Sequence, residues 1–304
     1  MASMKEIKNH IASVKDTQKI TNAMYLIAST KLRRAKGDLD RTLPYFNALR
    51  GEIKRIFRTV ENVDSRYFFP ASGEDKMTGA YGFLVITADK GLAGAYNQNV
   101  LKEAQRMLAE HPEDNKIFVI GEYGRQYFAA RSIPIEKEFL YTAQNPTLQR
   151  ARNITALLLD LYRKGELSRI FIIYTDMGGM ESSAKTVRLL PFHRSQFASA
   201  SHEKRTPVTF EFSPSVEEAL DSMIPSYVSG FIYSALVDSF CSEQNARMTA
   251  MDSANQNAQE LLDELSTQFN HTRQSAITQE ITEISAGALG QRRYKQRLKG
   301  EAGL

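Results

Sequence analysis

Apolar residues near the start of the chain recur alternately every four and three positions. Ile7, Ile11, Val14, Gln18, Thr21, Tyr25, Ala28, Leu32, Ala35, Leu39, Thr42, Phe46, Leu49, Ile53, Ile56 and Val60 follow this spacing, with Gln18, Thr21 and Thr42 as polar interruptions. A sustained 3.5-residue period predicts a left-handed coiled coil rather than a helix lying on a globular core. An unbroken helix from Ser3 to Val60 would be ~85 Å long, and Pro44 should bend it by removing one backbone donor. The same spacing returns near the other end, in Val237, Cys241, Gln244, Met248, Met251, Asn255, Ala258, Leu262, Leu265, Phe269, Thr272 and Ala276. Ser213 is the candidate cap of this second helix, Pro214 fits its first turn, and Glu217 and Glu218 suit its positive end. From Pro214 to Leu289 it would span ~110 Å, with an early bend at Pro225. Neither seam could be covered by a core of this size, so the two helices are expected to pair with each other, antiparallel.

Between them the pattern changes. Phe83 to Thr87, Lys116 to Ile120 and Arg169 to Thr175 are short β-branched and apolar runs of the buried-strand type. Helical patterns separate them, at about Tyr96 to Glu110, Tyr123 to Ala130 and Thr147 to Lys164. Val187 to Phe192 and Val208 to Phe212 are candidate edge strands. Roughly 140 residues thus make one α/β domain, and the rest belongs to the two long helices.

Composition removes several functions. The 304 residues include one Cys and five His, and no two His stand three or four apart. An internal disulfide and a Cys-rich zinc site are excluded, and no metal site is expected. No apolar run is long enough to cross a membrane as a helix. The first residues resemble neither a signal peptide nor a transit peptide, which points to a soluble intracellular protein. Net charge is +4.

Catalytic motifs are lacking. There is no G-x-x-x-x-G-K-[ST], no H-E-x-x-H and no G-x-S-x-G. The turn Asp89-Lys90-Gly91-Leu92-Ala93-Gly94-Ala95-Tyr96-Asn97 has the strand-to-helix context of a phosphate loop but not its spacing. It reads as a plain turn, with a nucleotide site as the sharper alternative. Thr175 to Glu181 reads as a hairpin connection that could form a backbone anion nest. Cys241 falls on the seam, where packing is its expected role.

Charge and polarity along the helices say more. Lys5, Lys8, Lys15, Lys19, Lys31, Arg33, Arg34 and Lys36 are opposed only by Glu6 and Asp16. Such a stripe is either a solvated face or a surface for an acidic partner. Nucleic acid is the weaker partner, because the stretch has a single Tyr, Tyr25, and it falls on the seam rather than among the cations. Near the other end, polar groups from Gln268 to Glu283 surround Ile277, Ile281, Ile284 and Leu289, a mixture that suits a helix tip enclosed by partners. Arg292, Arg293, Lys295, Arg297 and Lys299 follow, with Glu301 as the one acid. This tail is either a solvated terminus or a contact to a neighbouring subunit.

Three segments resemble the gamma subunit of F-type ATP synthases, of bacterial type. They are Ile11-Ala12-Ser13-Val14-Lys15-Asp16-Thr17-Gln18-Lys19-Ile20-Thr21-Asn22-Ala23-Met24 with Ala28 to Ala35; the turn Asp89 to Asn97; and Ser242 to Met251, continuing through Arg273 to Ile284. Lys90 and Ala93 stand where the family usually has Arg and Cys. The resemblance implies a shaft built from both chain ends, with a small Rossmann-like α/β domain as its foot. The expected divisions are 1–66, 67–212, 213–290 and a basic extension, 291–304. The implied role is a non-catalytic central-stalk rotor subunit, without cofactor, metal or catalytic residues. It would couple ion translocation to ATP synthesis or hydrolysis in a hexamer of alpha and beta subunits. The implied partners also include the epsilon subunit and the ring of c subunits, with peripheral association at the cytoplasmic face of the membrane. By matching position, Met24, Lys31, Arg33, Arg34, Arg247, Gln274 and Thr278 would contact beta subunits. Ile277, Ile281, Ile284 and Leu289 would sit in an apolar bearing at the hexamer crown, and Phe212, Ser213 and Pro214 would belong to the foot. A coiled-coil adaptor or nucleic-acid-binding arm, and an enzyme using the Asp89 turn, are the alternatives.

Overall fold

The computed structural model describes residues 3–59, 65–69, 79–112, 114–177, 183–193 and 215–301. Helix α1 spans Met4–Thr59 and helix α5 Val216–Glu301. Between them lie β1 (Ala80–Ile86), α2 (Tyr96–Glu110), β2 (Asn115–Ile120), α3 (Glu122–Ala130), α4 (Leu148–Arg163), β3 (Leu167–Asp176) and β4 (Ser183–Leu190). Contacts divide the chain into two compact units, one of Met1–Tyr25 with Met251–Leu304 and one of Leu26–Ala250.

In the first unit the seam read from the sequence is the buried face. Ile7, Met251, Leu262 and Leu265 are buried, and Ile11, Val14, Asn255, Ala258 and Phe269 half-buried. The polar seam positions answer one another. The Gln18 amide donates to Gln259 Oε1 at 3.4 Å, and the Thr21 hydroxyl donates to Asn255 Oδ1. These pairings fix an antiparallel register, the use to which polar seam residues are best suited. The start of α1 is held by a capping box. Ser3 N–H donates to Glu6 Oε2 at 2.8 Å, and Glu6 N–H to Ser3 Oγ at 3.3 Å. The Ser-x-x-Glu spacing carries this signal in the sequence.

The second unit holds the sheet, ordered β2-β1-β3-β4, with the first three strands parallel and β4 antiparallel to β3. Alternation along each strand sorts the core into two layers. Phe83, Val85, Ile117, Val119 and Ile173 face α2 and α3. Leu84, Ile86, Phe118, Ile120, Ile170 and Ile172 share the other layer with α4 and with the parts of α1 and α5 in this unit. Both faces are covered, as a parallel sheet requires. Gly121 sits at φ +97°, where a Cβ would lie 2.3 Å from the Thr87 carbonyl oxygen. Between α1 and α5 the approach is equally close, because a Cβ on Gly230 would overlap the Phe46 ring.

The structure differs from the sequence reading at α5. Ser215 is the cap, its Oγ accepting from Glu218 N–H at 3.2 Å, two residues after the expected Ser213. The helix also runs past Leu289 to Glu301. Gly287 and Gly290 are compatible with it because surrounding Ala, Leu, Gln, Arg and Lys are strong helix formers. The expected strand Val208 to Phe212 lies outside the described residues, as do Ser213 and Pro214.

Candidate functional site

In an open α/β sheet a ligand site forms where strand order reverses, outside the carboxyl ends of the strands. Here that point lies between β1 and β3. The turn from Asp89 to Asn97 follows β1 there, and the side chains of Asp89 and Asn97 are committed to the fold. Asp89 Oδ1 accepts from Glu122 N–H at 3.2 Å, and Oδ2 accepts from the N–H groups of Ala143 and Gln144 at 3.0 and 3.1 Å. Asn97 Oδ1 accepts from Ala88 N–H at 2.9 Å.

The crevice itself is closed by α5. Ser239 Oγ accepts from Thr175 N–H, at the end of β3, at 3.3 Å. Ala246 packs on Ala88, Ala93 and Tyr96. Burial raises the Tyr96 phenol pKa, and the nearby Glu243 carboxylate adds to the effect. Arg247 donates to Glu243 Oε1 at 2.7 Å and to the Gly91 carbonyl at 3.0 Å. The side chains of this pair are only 11% and 5% exposed. Burial also raises the Glu243 pKa, against the pull of Arg247. Glu243 Oε2 has no hydrogen-bond partner among the described residues. The place where related sheets hold a nucleotide is therefore filled by the chain's own helix. This favours the plain-turn reading of Asp89 to Asn97 over a nucleotide site.

A second ionic cluster lies further along the same helix. Lys185 on β4 pairs with Asp176 on β3. Asp238 on α5 stands near both, and burial followed by the like charge of Asp176 pushes its carboxyl up to about 6. Burial also pushes the neighbouring Cys241 thiol up to about 11, which suits packing rather than reactivity. Glu243 was readable from its position four residues before Arg247. Asp238 carried no such signal, because its environment is assembled from three distant elements.

The residues singled out from the sequence fall in different settings. Met24 and Lys31 are half-buried on α1, and Arg33 and Arg34 are exposed. Lys31 lies close enough to Glu243 to act on its charge. Arg247 is the buried clamp just described. Gln274 and Thr278 are exposed on α5. So are Ile277 (49%), Ile281 (59%), Ile284 (72%) and Leu289 (58%). The register of the first unit starts α1 opposite about residue 273, so among the described residues α5 continues unpaired for ~40 Å. Phe212, Ser213 and Pro214, and the Gly178 to Glu181 part of the hairpin connection, lie outside the described residues. Among the described residues no group of His, Cys, Asp and Glu is arranged to hold a metal ion, and no helix is long and apolar enough to cross a membrane.

A family model described as ATP synthase matches residues 3–289. The ATP synthase gamma chain of Caldanaerobacter subterraneus subsp. tengcongensis is 40% identical over 292 residues, covering 93% of this chain and 98% of that relative. The chain belongs to the ATP synthase gamma-chain family. A second gamma chain, from Ruminiclostridium cellulolyticum, is also 40% identical, over 94% of this chain and 98% of its own length. The fold matches a chain in the solved structure of the Euglena gracilis mitochondrial ATP synthase OSCP/F1/c-ring in rotational state 3. The TM-score is 0.63 at 16% identity, covering 96% of this chain and 95% of that one. The gamma-chain likeness extends through the α/β domain as well as both long helices. An adaptor or nucleic-acid arm is not favoured.

Proposed function

We propose that this gamma-chain family member is the central-stalk rotor of a bacterial F-type ATP synthase. In this role it couples ion translocation through a membrane ring to ATP synthesis or hydrolysis in alpha and beta subunits. The observation that carries the reading is the end of α5, which presents Ile277, Ile281, Ile284 and Leu289 uncovered by any other described residue. Four large apolar side chains on one helix call for an enclosing partner, and an apolar sleeve at the crown of an alpha/beta hexamer supplies one.

The other assignments follow along the shaft. Met24, Lys31, Arg33 and Arg34 meet acidic beta-subunit surface. Gln274 and Thr278 meet beta-subunit loops higher up. Arg247 belongs to the same contact region, where its clamp on Glu243 and Gly91 presents the helix and the Asp89 turn as one rigid surface. The α/β domain, with Phe212, Ser213 and Pro214, forms the foot, which binds the epsilon subunit and the c ring. The chain catalyses nothing and binds no cofactor. It lies at the cytoplasmic face of the membrane, held there by the complex.

Torque transmission needs a stiff shaft and slippery contacts. The 3.5-period seam supplies stiffness. Screened surface ion pairs, each worth about 0–1 kcal/mol, hold the shaft without trapping it at one angle. Mixing the chain with alpha and beta subunits is expected to give a complex with magnesium-dependent ATPase activity, measured after size-exclusion chromatography. Absence of both the complex and the activity would refute the reading.

A further inference from the structure

The α/β domain meets the two long helices in different ways. Ala35, Leu39, Ile53 and Ile56 of α1 join the apolar layer of the sheet. Such burial resists separation but has no direction of its own. Hydrogen bonds are directional, and among the described residues those from the sheet domain to a long helix all go to α5. Ser239 Oγ accepts from Thr175 N–H, at the end of β3, and Arg247 donates to the Gly91 carbonyl, in the turn after β1. The two anchors are ~12 Å apart along α5 and belong to neighbouring strands. One anchor would act as a pivot; two on different strands also resist rotation about the helix. Both are braced. Glu243 holds the Arg247 guanidinium in a pair buried from water. Asp89 ties the turn that carries Gly91 to α3 and to the loop before α4. Ser239 is 1% exposed, so water does not compete for its bond.

We propose that Ser239 and Arg247 are positioning residues that key the α/β domain to α5, so that torque passes between foot and shaft through α5 rather than α1. This rests on the rotor reading above. Helix α1 then packs and stiffens the shaft, while α5 carries the load into it.

The test uses the complex of the full chain with alpha and beta subunits, held by the hexamer, with a bead on the α/β domain through Lys137→Cys. The angular variance of the bead during a pause varies inversely with the stiffness of its link to the shaft. The variant Ser239→Ala, Glu243→Gln and Arg247→Ala removes both anchors without stranding a buried carboxylate. Its variance is expected to be about twice that of the unaltered chain. Ser239→Ala alone should broaden it about half as much. Ser239 is buried, so that change cannot act through a contact with the hexamer. Leu39→Ala opens a cavity on the α1 side at a cost of about 2–5 kcal/mol, and should leave the variance as it was. Unchanged variance in Ser239→Ala and in the triple variant, or equal broadening by Leu39→Ala, would overturn the proposal and leave the rotor reading intact. Failure of the unaltered chain to rotate would remove both.

Discussion

Replacing Arg247 by alanine is expected to lower the stability of the chain by about 3 kcal/mol, the cost of leaving one member of a buried ion pair alone. The remaining charge would be that of Glu243, 5% exposed at its side chain, with one carboxylate oxygen already unpaired among the described residues. The Gly91 carbonyl would lose its donor at the same time. The loss has a pH signature. Burial already raises the Glu243 pKa above its ordinary value, and removing Arg247 raises it further. A carboxyl raised in the folded state costs nothing while it is protonated in both states. It costs progressively more as pH rises through the interval between its unfolded and folded values. Urea unfolding followed by circular dichroism should therefore show a larger loss at pH 8 than at pH 5. The double variant Glu243→Gln with Arg247→Ala should recover most of it. Equal losses at both pH values, with no recovery, would mean that the pair is not electrostatically coupled.

Asp238→Asn should do the opposite and stabilise the chain at neutral pH. The Asp238 carboxyl is held at about 6, against an ordinary 3.8, by burial and by Asp176. Its folded-state value is raised, so its contribution is neutral below about pH 4 and becomes unfavourable as pH rises to about 6, with the full penalty above that. Screening at a half-buried side chain reduces the penalty to about 1–2 kcal/mol. The variant should gain that amount at pH 7.5 and nothing at pH 4, read from the unfolding midpoint at each pH. A gain of the same size at both would show that packing, not charge, explains the effect.

The two sites differ in how far the sequence could reveal them. Seam positions from Ile7 to Ile56 and from Val237 to Ala276 are all buried or half-buried. A 3.5-residue period is a local property that survives without knowledge of the partner. The three parallel strands were legible for the same reason, since burial on both faces leaves continuous apolar runs such as Phe83 to Ile86. The cap at Ser215 was misplaced because Ser213-Pro214 imitates a helix start equally well. The continuation past Leu289 was hidden by Gly287 and Gly290, which usually mark ends. The filled crevice was the least legible feature. Asp89, Ser239, Glu243 and Arg247 are brought together from both sides of the sheet domain, and spacing along the chain says nothing about such a meeting.

The central claim is that this chain turns inside an alpha/beta hexamer. The direct measurement immobilises the complex through its alpha or beta subunits and attaches a bead to the α/β domain through Lys137→Cys. Lys137 is exposed, and the chain's own Cys241 is buried. With magnesium ATP, the account predicts one-directional rotation of the bead with three equivalent pauses in each turn. A bead that stays still while the same complexes hydrolyse ATP would contradict it.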